Sequence, residues 1–172
     1  MRLIKKMTLV LFSLTLVYCG DGDRKKSDSQ VKLKNNPGTS SAASANDSDA
    51  TEVILLATDQ MKFNMSEIRV PAGKPVRLTL RHTGTMDRKV MGHNFVLLTQ
   101  GTEIPAFAKE ATEFADNEYI PEDTDQVIAY TDLLGGGESD TIEFEAPEPG
   151  TYNFLCSFPG HYALMKGTFV VE

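Results

Sequence analysis

The sequence predicts an all-β sandwich, and three observations lead there. Residues 51–172 divide into short runs in which apolar side chains fall at alternate positions, the period of a strand with one buried face. The runs are parted by turn formers: Pro71-Ala72-Gly73-Lys74-Pro75, Thr83-Gly84, Gly135-Gly136-Gly137 and Pro147-Glu148-Pro149-Gly150. One stretch alone reads as helical. Many short strands so punctuated pack as two antiparallel sheets, face to face.

In chain order the strands are expected at 52–57, 68–70, 76–82, 93–98, 126–131, 140–144, 150–156 and 166–171. The third run places Val76, Leu78 and Leu80 on one face, which carries His82 inward with them. Tyr152, Phe154 and Cys156 likewise share a phase, so the thiol points into the sandwich at the end of its strand. The helical stretch is 104–117, where Ala106, Phe107, Ala108, Ala111, Phe114 and Ala115 alternate with acidic residues just after Pro105; it is expected as a flap on the sandwich.

Two segments precede the sandwich. Residues 1–19 carry Arg2, Lys5 and Lys6, then an apolar run from Met7 to Val17, then Cys19. This is the layout of a secretory signal, too short to span a bilayer comfortably. Leu16-Val17-Tyr18-Cys19 resembles a bacterial lipoprotein signal, in which the Cys becomes the lipidated first residue, although Tyr18 stands where that pattern has a small residue. Residues 20–50 are rich in Ser, Asp, Asn, Ala, Gly and Lys and have too little apolar surface to offset chain entropy, which reads as a flexible tether. The expected address is therefore outside the cytoplasm, in a periplasm, with a lipid anchor at Cys19 holding the domain to a membrane.

Charge excludes one class of partner. Residues 51–172 hold 9 Lys and Arg against 19 Asp and Glu, which argues against nucleic acid and against direct contact with anionic lipid. Cysteine use points to a metal. With Cys19 assigned to the signal, Cys156 is left as a single thiol in an exported domain, where cysteines are normally paired or avoided.

The segment Cys156-Ser157-Phe158-Pro159-Gly160-His161-Tyr162-Ala163-Leu164-Met165 supplies its companions. A thiol, an imidazole and a thioether bracket a Phe-Pro-Gly turn, and His93 lies upstream in Val90-Met91-Gly92-His93-Asn94. Soft sulfur, two imidazoles and a weak axial Met form the ligand set of a mononuclear blue-copper electron-transfer site. Bland alternatives exist for each residue singly, since a lone Cys is often a small hydrophobe and a lone Met is usually core. His82 reads more simply as a satisfied core histidine than as a ligand, and Met61 and Met91 as packing residues. A Cys–His nucleophile would need an orienting group and an oxyanion site, and no protease signature is present. Zinc accepts one Cys and two His, but Met165 is a poor zinc ligand.

The pattern C-x4-H-x3-M at Cys156, His161 and Met165 resembles that of the azurins, within the cupredoxin family. So do Asp59-Gln60-Met61-Lys62-Phe63-Asn64, Val90-Met91-Gly92-His93-Asn94, Ala129-Tyr130-Thr131 and Ala163-Leu164-Met165-Lys166-Gly167-Thr168. The resemblance implies a Greek-key sandwich of about eight strands and one copper per domain. It implies His93, Cys156 and His161 as equatorial ligands, with Met165 and the Gly92 carbonyl as weak axial ones. Asn94 would tie the ligand loops together near the sulfur, and the Phe158 N–H would donate to it. The ring edge of His161 would reach the surface within an apolar docking patch of Met86, Met91, Phe158, Pro159 and Leu164. Cytochromes c or terminal reductases are the implied partners, and an enzyme is not implied, because no coordination position is left for substrate. The family's usual disulfide is absent, since no Cys lies between Cys19 and Cys156. The competing function is a copper carrier or buffer, which would release its metal rather than cycle electrons.

Overall fold

The structure is a computed structural model that describes residues 49–172; the signal with Cys19, and the tether up to residue 48, lie outside the described residues. Nine strands form two sheets. They are β1 (Thr51–Thr58), β2 (Lys62–Phe63), β3 (Glu67–Val70), β4 (Pro75–His82), β5 (Val96–Leu98), β6 (Val127–Tyr130), β7 (Ser139–Glu145), β8 (Gly150–Leu155) and β9 (Lys166–Val171). One sheet has the order β2-β1-β4-β7 and the other β3-β9-β8-β5-β6. The all-β sandwich is as expected, with one more strand than the sequence signals, because the two-residue β2 is too short to show a period.

The pairing is mixed rather than wholly antiparallel. β1 runs parallel to β4, and β3 parallel to β9, while the other pairs are antiparallel. Parallel neighbours arise because the chain switches sheet at most connections and returns in the same direction.

Strand phase decides what fills the interior. Val76, Leu78, Leu80 and His82 alternate inward along β4, and Tyr152 and Phe154 do so along β8. They meet Val53, Leu55, Phe95 and Phe169 in the core between the sheets, where Phe154 lies 5.4 Å from Phe95 and 5.8 Å from Phe63, centroid to centroid.

β5 breaks the alternation, since Val96, Leu97 and Leu98 are all buried. Leu97 faces the main core, whereas Val96 and Leu98 join Leu155 beneath Phe107, Ala108, Ala111 and Ile120. A strand covered on both faces reads as a continuous apolar run. Its cover is the flap. Helix α2 spans Ile104–Ala111, with Pro105 in the first turn, and stops short of the predicted Asn117. The chain tightens instead into i→i+3 bonds, with Phe114 N–H donating to the Ala111 carbonyl, and then a 3-10 turn at Ala115–Asn117.

A second short helix, α1 (Arg88–Met91), was not legible as one. It carries the chain from the end of β4 to His93, which forms an isolated bridge with Leu134 rather than opening a strand. The expected strand 93–98 is thus confined to its last three residues, because His93 and Asn94 leave the ladder to meet other partners.

Candidate metal centre

The site lies where β4 and β8 end and β9 begins. His82, the last residue of β4, is buried, and its Nδ1 accepts the Gly84 N–H at 3.0 Å. That bond leaves the proton on Nε2, which donates to the Met91 carbonyl at 2.9 Å. Both ring nitrogens are therefore engaged, and the ring stacks on His93 with centroids 4.4 Å apart. His82 is a satisfied core histidine that anchors the chain just before Gly92. A Cβ at Gly92 would come within 2.5 Å of the Arg88 carbonyl and 3.0 Å of Leu133 and Phe158, so only glycine lets the backbone pass here.

His93 is held from both sides. Its N–H donates to the Leu134 carbonyl at 3.0 Å, and its carbonyl accepts from Leu134 at 2.8 Å. Its Nε2 lies 2.9 Å from the Thr58 carbonyl and donates to it, which turns the bare Nδ1 toward Cys156.

Cys156 follows directly on β8, and its N–H donates to the Met165 carbonyl at 2.9 Å. The loop between them is tight. Gly160 takes a φ of 82°, His161 N–H returns to the Phe158 carbonyl, and Met165 N–H returns to the His161 carbonyl. One short loop thus delivers a thiol, an imidazole and a thioether to the same end of the sandwich.

These groups converge. The Cys156 Sγ lies 3.9 Å from His93 Nδ1, 3.7 Å from His161 Nδ1 and 3.8 Å from the Gly92 carbonyl oxygen. The three donor atoms of His93, Cys156 and His161 all fall within 4.8 Å of one another. Cys156, His93 and Met165 are fully buried, and His161 keeps 4% of its surface exposed. Burial disfavours charge on every one. It pushes the Cys156 thiol up to about 12, although backbone N–H groups of Asn94 and Phe158 that donate to the sulfur act the other way. It pulls His93 down to about 4 and lowers His161 as well. Two imidazole nitrogens and one thiol, with no carboxylate in the cluster, fit a soft or borderline metal ion.

The residues around the cluster are arranged as follows. Asn94 is buried, and its Oδ1 accepts the Ser157 N–H at 2.9 Å while its Nδ2 donates to Ser157 Oγ at 2.8 Å. The Phe158 ring packs on His161 at 4.6 Å, and 4% of that histidine stays exposed. Met86, Pro159 and Leu164 are exposed, while Met91 and Phe158 are half-buried. Val90, at 59% exposed, belongs with this apolar group and was not singled out from the sequence. Ser157 and Glu118, both bonded to Asn94, were also missed, and no local pattern marks either.

Comparison with known proteins points to a copper-binding family. Residues 51–172 match the family model described as copper binding proteins, plastocyanin/azurin family. The azurin of Bordetella pertussis is 43% identical over 121 residues, covering 67% of this chain and 80% of that protein. The outer membrane protein H.8 of Neisseria gonorrhoeae is 39% identical over 114 residues, covering 64% of this chain and 62% of that protein. Among solved structures, dithionite-reduced auracyanin from Roseiflexus castenholzii superposes with a TM-score of 0.65 at 35% identity, covering 72% of this chain and 98% of that one.

The lowered His93 has a stability consequence. Between about pH 6.5 and pH 4 the unfolded chain binds a proton at this residue that the folded protein does not, so the metal-free protein loses stability as pH falls through that window. The loss is bounded by 1.36 kcal/mol per unit over that window, and solvent screening holds the total to about 1–2 kcal/mol. Urea denaturation of metal-free protein at pH 7 and pH 4.5 should show this fall, and His93→Asn should make it shallower, with the lowered His161 accounting for part of the remainder. An equal slope in the variant would assign the pH dependence to other groups.

Proposed function

This chain belongs to the plastocyanin/azurin family of copper-binding proteins, and from that premise we propose that it is a one-electron carrier whose copper would be held by His93, Cys156 and His161 together with Met165 and the Gly92 carbonyl. The observation that carries this reading is the convergence of two imidazole nitrogens on one buried sulfur. Bound copper supplies a one-electron couple between Cu(I) and Cu(II). The protein's own residues do the rest. Cys156 gives up the proton that burial otherwise holds to about pH 12, which couples loading to proton release. The Thr58 carbonyl keeps the proton of His93 on Nε2, so Nδ1 stays free to coordinate. Asn94 and Phe158 donate their backbone N–H groups to the sulfur and so tune its basicity.

Donors so tightly braced move little between two oxidation states, which suits rapid electron exchange. Their complete burial also speaks for retention of the metal, against a carrier that hands copper to an acceptor. In this reading electrons pass through the His161 end, where Met86, Val90, Met91, Phe158, Pro159 and Leu164 form an apolar surface. Such a surface suits brief, small-area contact with a redox protein, with cytochromes c and terminal reductases as the partner classes. The 51–172 domain would hang on a tether, residues 20–50, from a lipid at Cys19, on the periplasmic face of a bacterial membrane. Similarity to a relative named as an outer membrane protein supports membrane attachment.

Protein loaded with Cu(II) should show an intense blue charge-transfer band that bleaches with ascorbate and returns on reoxidation. Cys156→Ser should abolish the band; a blue Cys156→Ser protein would overturn the ligand assignment. Replacing Met91 with Lys should slow exchange with a redox partner about tenfold or more while leaving the visible spectrum intact, and unchanged stopped-flow rates would move the docking site elsewhere. Metabolic labelling with a clickable fatty acid should mark the wild-type protein and not Cys19→Ser, whereas an unlabelled wild type would remove the anchor.

A further inference from the structure

Glu118 sits at a junction of the segments that carry the donors. It ends the 3-10 turn Ala115–Asn117 with φ 56° and ψ 30°, and Tyr119 follows with φ 63°. Two successive non-glycine residues in the left-handed region persist only where the surroundings over-determine them. The surroundings here are specific. The Glu118 carbonyl accepts from Asn94 Nδ2 at 3.2 Å, its Oε2 accepts the Leu133 N–H at 3.0 Å, and its Oε1 accepts from Arg88 Nη2 at 3.3 Å. Arg88 closes the group by donating through Nη1 to the Leu133 carbonyl at 3.2 Å.

Each of these partners supports a donor residue. Asn94 holds Ser157, which adjoins Cys156. Leu133 precedes Leu134, the bridge partner of His93, and its side chain abuts Gly92. Arg88 opens α1, the helix that leads to Gly92. We propose that Glu118 is a positioning residue for the copper centre: its carbonyl orients the Asn94 amide and its carboxylate pins Leu133 and Arg88, so one flap residue steadies the supports of both His93 and Cys156. This rests on the ligand assignment above. Without the carboxylate the flap loosens, the Asn94 amide loses its fixed orientation, and the N–H bonds to the sulfur weaken. A sulfur with weaker N–H partners donates more electron density and favours Cu(II).

The test uses the full chain with Glu118→Ala and Glu118→Gln, the latter keeping one acceptor for Leu133. In metal-free protein, amide exchange at Ser157 and Leu133 should quicken about tenfold or more in E118A, while Phe169 in the distant core keeps its protection. In copper-loaded protein the reduction potential of E118A should fall below that of the wild type, with E118Q between them. Unchanged exchange at Ser157 and Leu133 would overturn the proposal, as would uniform loss of protection that includes Phe169. Altered exchange with an unaltered potential would also overturn it, by reducing Glu118 to a brace for the flap alone. Should E118A not fold, E118Q against wild type gives the same comparison at smaller amplitude. Failure of the ligand assignment would announce itself separately, as a wild-type protein without a blue band.

Discussion

Asn94 and Ser157 are 63 residues apart in sequence and share a reciprocal set of buried hydrogen bonds. The amide oxygen of Asn94 receives the backbone N–H of Ser157, and its NH2 group gives one bond to Ser157 Oγ and another to the Glu118 carbonyl. Neither residue is open to solvent, so a broken bond here cannot be replaced by water and would cost on the order of 1–3 kcal/mol. The loop that carries His93 and the loop that carries Cys156 are thereby fixed to one another. The positions of the sulfur and both imidazoles follow from that junction, with the two sheets as its rigid backing.

The metal-free centre is electrostatically frugal. It places three ionisable groups in contact and leaves all of them neutral, with burial raising the thiol and lowering the imidazoles. His82 stacks beside them with both nitrogens bonded and contributes shape rather than a ligand. The Thr58 carbonyl turns His93 Nδ1 inward before any cation arrives, so this donor needs little reorganisation to bind one.

How much of this could be seen in the sequence depended on whether the information was local. The Cys156–His161–Met165 loop was legible because its three donors fall within ten residues and the glycine turn fixes their geometry. The inward phase of His82 and Cys156 was legible because alternation along β4 and β8 is unbroken. His93 was found but misplaced on a strand, since leaving a ladder to face a sulfur has no compositional sign. Helix α2 was overextended because Phe114 and Ala115 keep the helical period while the backbone has already tightened. Glu118 could not have been found. Its role depends on a left-handed backbone conformation and on partners as much as 30 residues upstream and 15 downstream.

The rims of the two sheets carry a further consequence. An open strand edge can template addition of another chain. Here one rim is β2, only two residues long, and another is β3, four residues long, with Glu67 and Arg69 projecting outward and ion-paired to each other. β7 closes the opposite rim of its sheet with exposed Glu143 and Glu145. Neighbouring copies brought to high local density would find short or charged borders instead of long apolar ones. Crowding would then favour separate copies over edge-to-edge association.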